Sequence, residues 1–224
     1  MNVGRLLVVE GPEGAGKTTQ IARLANRLAS ADVPHLVVRE PGGTPTGEQI
    51  RTLLLDPSGD MVPAAETLLF LASRAELVER VIRPAMAEGK LVIADRFFLS
   101  TYAYQIAGRG LPEDTVRAAN ALAVAGLRPD LTLLFIHHAA DGLARADRRG
   151  KRDRMERAEI AFHERVGAAF ERFGTPEWQR GHPEAGPIAT IDASGTEDAV
   201  YHAMIGLLAS RWPETFPVAR GSDL

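Results

Sequence analysis

The sequence predicts an α/β protein built on a five-stranded parallel sheet with helices on both of its faces. Five short apolar runs have the length of buried strands, and stretches with apolar residues at helical spacing separate them. Strands that alternate with helices in this way form a doubly wound sheet, which binds its ligands at the carboxyl ends of the strands. The 224 residues are enough for one substantial core, so we expect a single domain over 1–224.

The elements follow one another regularly along the chain. The predicted strands are 6–10, 35–39, 91–95, 131–136 and 187–193. The predicted helices are 17–31, about 46–55, about 64–88, about 99–107, about 113–125, 139–149, 157–173 and 196–211. The stretch 175–187 is rich in proline and glycine and is predicted to be a surface loop, and the tail after Trp212 is expected to be loose.

Composition excludes several classes of function. Zero cysteines exclude disulfides, thiolate metal sites and a cysteine nucleophile. A net charge of −3 does not support a general nucleic-acid binder, which is usually basic. No apolar run reaches the roughly 18 residues of a membrane span, and the first strand leaves no room for a cleavable signal before it. We therefore expect a cytoplasmic protein that binds neither nucleic acid nor membranes.

Residues 8–20, VVEGPEGAGKTTQ, interrupt the chain between the first strand and the first helix. They fit the pattern G-x-x-x-x-G-K-[ST], with Gly11, Gly16, Lys17 and Thr18 at its fixed positions. In such a phosphate-binding loop (P-loop) backbone N–H groups wrap a phosphate chain, the lysine neutralises the β- and γ-phosphates, and the hydroxyl coordinates Mg²⁺. We therefore predict the P-loop NTPase fold with a site for ATP and Mg²⁺. Its residues are Gly11, Pro12, Glu13, Gly14, Ala15, Gly16, Lys17, Thr18 and Thr19.

A phosphate loop alone does not separate a kinase from a switch or a motor. A guanine-specific GTPase usually carries N-K-x-D, and none of the three asparagines (Asn2, Asn26 and Asn120) is followed by lysine. Two alternatives stay open on the loop itself: an ATP-dependent switch that hydrolyses slowly, and a glycine-rich turn that binds nothing.

Further motifs of the chain resemble bacterial thymidylate kinase. REPGGTPTGEQIR follows the second predicted strand, LLFLASRAELV lies in the long helix, DRFFLSTYAYQ follows the third strand, and DRME stands at 153–156. The likeness runs from about residue 4 to residue 173 and resumes at 190–194, with the motifs in the family's order. The resemblance implies a homodimeric enzyme that transfers the γ-phosphoryl of ATP to dTMP, giving dTDP. The nearest alternative is a kinase for uridylate or adenylate.

Two residues of the long helix are candidates for base recognition. Phe70 and Arg74 stand four apart, so they share one helix face and can hold opposite parts of one ligand. By resemblance, Phe70 stacks on thymine and Arg74 bonds its exocyclic oxygen. The alternative is a core phenylalanine beside a solvated arginine.

An acceptor monophosphate is a dianion that needs fixed cations, and arginines flank the ends of the predicted second and third strands. The resemblance places the phosphate of dTMP among Arg39, Arg51 and Arg96. Thr18 and Asp95 are the candidate ligands of Mg²⁺. The alternative for Asp95 is a structural ion pair with Arg96. The segment that resembles the family's nucleoside site contains Ser100, Thr101, Tyr104 and Gln105, where Tyr104 is expected to leave little space for a ribose 2′-hydroxyl.

A basic run at 145–157 holds seven arginines and lysines between two predicted helices. We predict a mobile basic lid over about 147–157 that closes on the triphosphate. The phosphate loop has Ala15 where some relatives carry a catalytic arginine, and by resemblance Arg154 of DRME supplies that charge. By resemblance, the carboxylate of Glu13 approaches the acceptor's 3′-hydroxyl and the lid arginines. The alternative is a side chain that points away from the loop. The predicted catalytic residues are Lys17, Arg96, Arg154 and Glu13.

Overall fold

The protein is built around one sheet, seen here in a computed structural model that describes residues 4–137, 154–155 and 159–217. The strands are β1 (Arg5–Glu10), β2 (His35–Arg39), β3 (Leu91–Asp95), β4 (Leu131–Ile136) and β5 (Ile188–Asp192). They are all parallel and lie in the order β2-β3-β1-β4-β5. The five predicted strands and the α/β fold class are therefore confirmed.

Each face of the sheet has its own hydrophobic core, because alternate residues of a strand point to opposite faces. In β1, Leu6 and Val8 belong to one core, whereas Leu7 and Val9 belong to the other. All four side chains are buried. Strands that are buried on both faces need continuous apolar runs, which is why the sequence reveals them.

Helices cover both faces. Those of the described chain are α1 (Lys17–Ser30), α2 (Pro45–Leu55), α3 (Pro63–Leu77), α4 (Arg83–Ala87), α5 (Phe98–Thr101), α6 (Glu113–Val124), α7 (Ile160–Phe173), α8 (Pro176–Gly181) and α9 (Glu197–Arg211), with two π-helical segments, Val78–Ile82 and Tyr102–Gly108, and a 3₁₀ turn, Pro183–Ala185. Leu24 of α1 and Met204 of α9 pack in one core. Leu77 of α3 and Phe170 of α7 pack in the other.

Two of the predicted helices contain π-helical segments. The long helix predicted over 64–88 consists of α3, the segment Val78–Ile82 and α4. The helix predicted over 99–107 is a single α-helical turn followed by Tyr102–Gly108. π-helical turns recur at functional sites, and this second segment carries Tyr104 and Gln105, two of the predicted nucleoside residues.

Two predictions for the C-terminal part are wrong. The stretch 175–187 is not a loop, because it contains α8 and the 3₁₀ turn. The Thr175 side chain caps α8 by accepting a hydrogen bond from the Trp178 N–H, and Trp178 is buried. The chain after Trp212 is not loose as far as 217, because Phe216 is buried and stacks on Trp212.

Some predictions fall partly or wholly outside the described residues. The predicted helix 139–149 lies outside them, and only Arg154 and Met155 of the predicted lid over 147–157 lie within them. None of the helices in the described ranges is both long enough and apolar enough to cross a membrane.

Candidate active site

A cavity of about 560 Å³ opens at the carboxyl ends of β1, β2 and β3. The phosphate loop, the start of α1, the segments after β2 and β3, and one face of α3 line it. Most of the predicted site residues meet here: Glu13, Gly14, Ala15, Gly16, Lys17, Thr18, Thr19, Arg39, Arg51, Phe70, Arg74, Asp95, Arg96, Ser100, Thr101, Tyr104 and Gln105. Gly11, Pro12 and Arg154 do not line the cavity.

The phosphate loop has the backbone that its glycines predict. Gly11, Gly14 and Gly16 have φ angles of 144°, 75° and 77°, a region that residues with a side chain rarely adopt. A Cβ at Gly11 would also lie 2.4 Å from the carbonyl oxygen of Phe135 in β4. The loop ends at the N-terminus of α1, whose free N–H groups and dipole favour an anion.

Lys17 is held beneath this loop by its own backbone. Its Nζ donates to the carbonyl oxygens of Gly11 at 2.8 Å and Pro12 at 2.7 Å. Burial lowers the pKa of Lys17 to about 7, and Arg96 lowers it as well, against the opposite effect of nearby carboxylates. The loop therefore holds an amine whose protonation is costly until an anionic ligand binds.

The two predicted metal ligands lie side by side in the cavity. The hydroxyl of Thr18 donates to Oδ2 of Asp95 over 3.2 Å. The guanidinium of Arg96 donates to Ser100 rather than to Asp95. Hydroxyl and carboxylate oxygens suit Mg²⁺. Within the described ranges no group of three or more His, Cys, Asp or Glu is placed to hold a metal.

Glu10 organises the segment after β3, although it is not among the predicted site residues. It is fully buried, and its Oε1 accepts hydrogen bonds from the N–H groups of Phe97 at 2.7 Å and Ser100 at 3.0 Å. Its Oε2 accepts a hydrogen bond from the Ser100 hydroxyl at 2.7 Å. The hydroxyl oxygen of Ser100 in turn accepts a hydrogen bond from Nη1 of Arg96 at 3.0 Å. Glu10 thereby fixes the orientation of Arg96. The signal in the sequence is a carboxylate that ends an apolar strand directly before Gly11.

Arg96, Tyr104 and Glu13 form a connected group. The guanidinium of Arg96 lies 5.3 Å from the centroid of the Tyr104 ring, and the Tyr104 hydroxyl donates to Oε1 of Glu13 over 3.2 Å. Burial raises the pKa of Tyr104, so its phenol stays a hydrogen-bond donor at neutral pH. Glu13 therefore faces the cavity, and the alternative of a side chain that points away from the loop does not hold in this structure.

Phe70 and Arg74 line the cavity from one face of α3, as their spacing predicts. Phe70 is half-buried, whereas Arg74 is only 2% exposed, so the alternative of a solvated arginine is wrong. All five N–H groups of Arg74 have protein acceptors. These acceptors are the carboxylate of Glu40, the carbonyl of Phe97, the hydroxyl of Thr101 and the side-chain carbonyl of Asn120. A bond from Arg74 to a ligand must share or replace one of these five.

Arg39 ends β2 and Arg51 lies on α2, and both line the cavity. Arg39 is exposed and pairs with Glu48 at 3.0 Å, and Arg51 donates to the carbonyl of Pro41 at 2.9 Å. An exposed ion pair contributes little stability, so Arg39 can exchange Glu48 for an anionic ligand at small cost.

Arg154 is the predicted catalytic residue that the structure does not bring into the cavity. Its Nη2 lies 2.8 Å from Oε2 of Glu66, and its Nε donates to the carbonyl of Leu54 at 2.9 Å. The Glu66 side chain is completely buried, and the Arg154 side chain is 11% exposed. The physical reason for this position is that a buried carboxylate is stable only when it is paired.

The cavity combines a phosphate loop with a second set of arginines, an arrangement that is typical of a P-loop phosphotransferase. The family model for thymidylate kinase matches residues 9–181. Similar relatives are the thymidylate kinases of Deinococcus radiodurans (46% identical, over 88% of this chain and 93% of that protein), Chlorobium chlorochromatii (43%, 92% and 95%) and Geobacter sulfurreducens (42%, 94% and 99%). The chain belongs to the thymidylate kinase family and is a nucleoside monophosphate kinase.

Proposed function

We propose that this chain phosphorylates dTMP to dTDP with ATP as the phosphoryl donor, in the cytoplasm. The observation that carries the proposal is the continuity of one cavity from the phosphate loop to Phe70 and Tyr104. Cations for two phosphate groups and an aromatic ring for a base lie along it, so donor and acceptor can meet end to end. The relatives are named thymidylate kinases, which supports dTMP as the acceptor.

The transfer needs no covalent intermediate, since catalysis of this kind rests on positioning and charge neutralisation. Lys17 and the loop N–H groups hold the triphosphate of ATP. Arg96, oriented by Ser100 and Glu10, holds the phosphate of dTMP in line with it, together with Arg39. The positive charges of these side chains offset the repulsion between the two anions.

The remaining residues define the nucleoside end. The half-buried ring of Phe70 offers a face on which thymine stacks. Tyr104 packs against Phe162 and Phe170, with ring centroids 6.1 and 6.3 Å away, so its ring is held in place. In the proposed complex this ring takes up the space that a ribose 2′-hydroxyl would need. Glu13 accepts a hydrogen bond from the Tyr104 hydroxyl, and its carboxylate would approach the 3′-hydroxyl of the acceptor.

Thr18 and Asp95 are the residues that would hold Mg²⁺, because their oxygens already lie together in the cavity. When bound, the ion neutralises part of the charge of the triphosphate. Asp95 ends β3, so the sheet itself fixes the position of its carboxylate.

A panel of acceptors tests the proposed function. Purified protein is given ATP and Mg²⁺ with dTMP, dUMP, UMP, AMP or GMP, and the diphosphate products are measured by chromatography. The highest kcat/KM is expected for dTMP. A preference for UMP or AMP would indicate another nucleoside monophosphate kinase, and hydrolysis of ATP without any diphosphate product would indicate a switch.

Binding of ATP above pH 7 should be accompanied by uptake of a proton at Lys17. The pKa of Lys17 is about 7 in the free protein, and a bound triphosphate raises it. At about pH 8 the free amine is largely neutral and becomes charged on binding, whereas at about pH 6 it is charged in both states. Titration calorimetry with ATP, in buffers of different ionisation enthalpy, measures the uptake at each pH.

The matched control for proton uptake is Lys17→Met, which removes the titrating amine and keeps a side chain of similar length. If the variant takes up as many protons as the wild type at about pH 8, another group titrates and the assignment to Lys17 is wrong.

Replacement of Arg154 by alanine should leave kcat within about tenfold of the wild type and raise KM for dTMP. The guanidinium lies on Glu66, which also bonds Gln105 of the cavity, so its effect should pass through the acceptor site. Steady-state kinetics with both substrates measures this, with Arg80→Ala as an exposed control. An arginine that stabilises the transferring phosphoryl is worth about 10³–10⁵ in rate. A fall of that size in kcat would restore the catalytic role expected from the sequence.

We also propose that the protein works as a homodimer. Leu53 of α2, Leu68 of α3 and Leu122 of α6 are 57%, 62% and 84% exposed. Because α3 packs against both α2 and α6, these leucines lie on adjoining helices. An apolar surface formed by them would suit a protein–protein contact. Analytical ultracentrifugation measures the mass in solution, and a monomer at micromolar concentration would contradict the proposal.

A further inference from the structure

Glu66 is a buried carboxylate that the mechanism above does not use. It lies on α3 one turn before Phe70. Its Oε1 accepts hydrogen bonds from Nε2 of Gln105 and Nε of Arg109, both at 3.1 Å, and its Oε2 from Nη2 of Arg109 at 2.9 Å and Nη2 of Arg154 at 2.8 Å. Burial opposes ionisation, but these donors outweigh it and lower the pKa of Glu66. The group is therefore an ionised acceptor at neutral pH.

This carboxylate determines which way the side-chain amide of Gln105 turns. An ionised carboxylate only accepts hydrogen bonds, so Gln105 must present its NH₂ group to Glu66. The other amide atom of Gln105, Oε1, receives no hydrogen bond from the residues that the structure describes. Gln105 lines the cavity with Phe70. Besides the second N–H of Nε2, it therefore offers a ligand an acceptor oxygen whose position is set by the bond to Glu66.

We propose that Glu66 is a positioning residue for base selection, which holds Gln105 so that its carbonyl oxygen is offered to the acceptor's base. Thymine carries an N–H at N3 that can donate to this oxygen, whereas N3 of cytosine is itself an acceptor. Arg109 completes the arrangement, since its guanidinium pairs with Glu66 and lies 4.7 Å from the centroid of the Phe162 ring. The proposal rests on the proposed function, because it concerns the acceptor of the same site.

The test compares kcat/KM for dTMP and for dCMP in the wild type and in Glu66→Gln. A glutamine at this position can donate as well as accept hydrogen bonds. The amide of Gln105 is then free to flip, so that its oxygen and nitrogen exchange places. The ratio of kcat/KM for dTMP to that for dCMP should fall about tenfold, the upper range for one hydrogen bond, with KM for ATP unchanged. The matched control is Glu76→Gln, which removes a carboxylate paired with Arg80 and should keep the ratio.

The outcomes separate this inference from the proposed function. If the wild type does not phosphorylate dTMP, the proposed function fails and the inference fails with it. If the wild type prefers dTMP and Glu66→Gln keeps the wild-type ratio, only the inference fails, because a purely structural carboxylate changes stability or both rates together. Should Glu66→Gln not fold, Glu66→Asp keeps the charge and shortens the reach to Gln105; an unchanged ratio in that variant also overturns the inference.

Discussion

Replacement of Lys17 by alanine is expected to lower kcat by about 10²–10³ or more, the usual effect of removing one preorganised group that stabilises developing charge. Lys17 is the buried cation of the phosphate loop, and its ammonium is held in place by two backbone carbonyls of that loop. The fold should survive, because burial already disfavours the charged side chain in the free protein, as its lowered pKa shows. Steady-state kinetics and thermal melting followed by circular dichroism measure both effects.

The control for this prediction is Lys90→Ala, which removes a lysine paired with Glu88 at the surface. It should change neither kcat nor the melting temperature appreciably. A folded Lys17→Ala protein with near wild-type turnover would mean that the loop at 11–18 does not bind the transferred phosphate.

Replacement of Arg74 by leucine should lower the free energy of unfolding by about 3–5 kcal/mol, as expected when one partner of a buried ion pair is removed. Arg74 and Glu40 have side chains only 2% and 5% exposed, so the variant leaves a buried carboxylate without its cation. It also removes the donors that bond Thr101 and Asn120. Chemical denaturation measures the loss.

The loss in Arg74→Leu should depend on pH in a defined direction. Burial already raises the pKa of Glu40 in the wild type, and without Arg74 it rises further. An acid whose folded-state pKa exceeds the unfolded value destabilises the fold as the pH rises above that unfolded value. The deficit should therefore be larger at about pH 8 than at about pH 5. Arg80→Leu, which breaks an exposed pair with Glu76, should stay within about 1 kcal/mol of the wild type at both. Equal stability of Arg74→Leu and wild type would contradict the account of this network.

The sheet could be predicted because its strands are buried on both faces and read as continuous apolar runs. Leu6–Val9 of β1 illustrate this, since each of the two cores takes alternate residues of the run. The phosphate loop could be predicted because its glycines are required by backbone geometry, as at Gly11, where a Cβ would overlap Phe135. Local requirements of this kind can be recognised from the sequence alone.

The side-chain networks could not be predicted, because they join residues that are far apart in the chain. Glu66 meets Gln105 and Arg154, and Arg74 meets Glu40 and Asn120, contacts that no local spacing encodes. The position of Arg154 differs from expectation for that reason.

The helix within 175–187 could not be predicted for another reason, since its proline and glycine content is typical of a loop. Thr175 and Pro176 instead begin a helix that buries Trp178. Composition alone does not tell a capped short helix from a loop when the residue that anchors it is a single aromatic side chain.

Transfer of labelled phosphate tests most directly the central claim, that the γ-phosphoryl of ATP passes straight to dTMP in this cavity. Purified protein is incubated with dTMP, Mg²⁺ and ATP labelled at the γ-phosphorus, and the products are separated by chromatography. One labelled dTDP is expected for each ADP formed, with almost no label transfer in Lys17→Ala. Labelled inorganic phosphate and ADP without labelled dTDP would show instead that the protein hydrolyses ATP without an acceptor and is not a dTMP kinase.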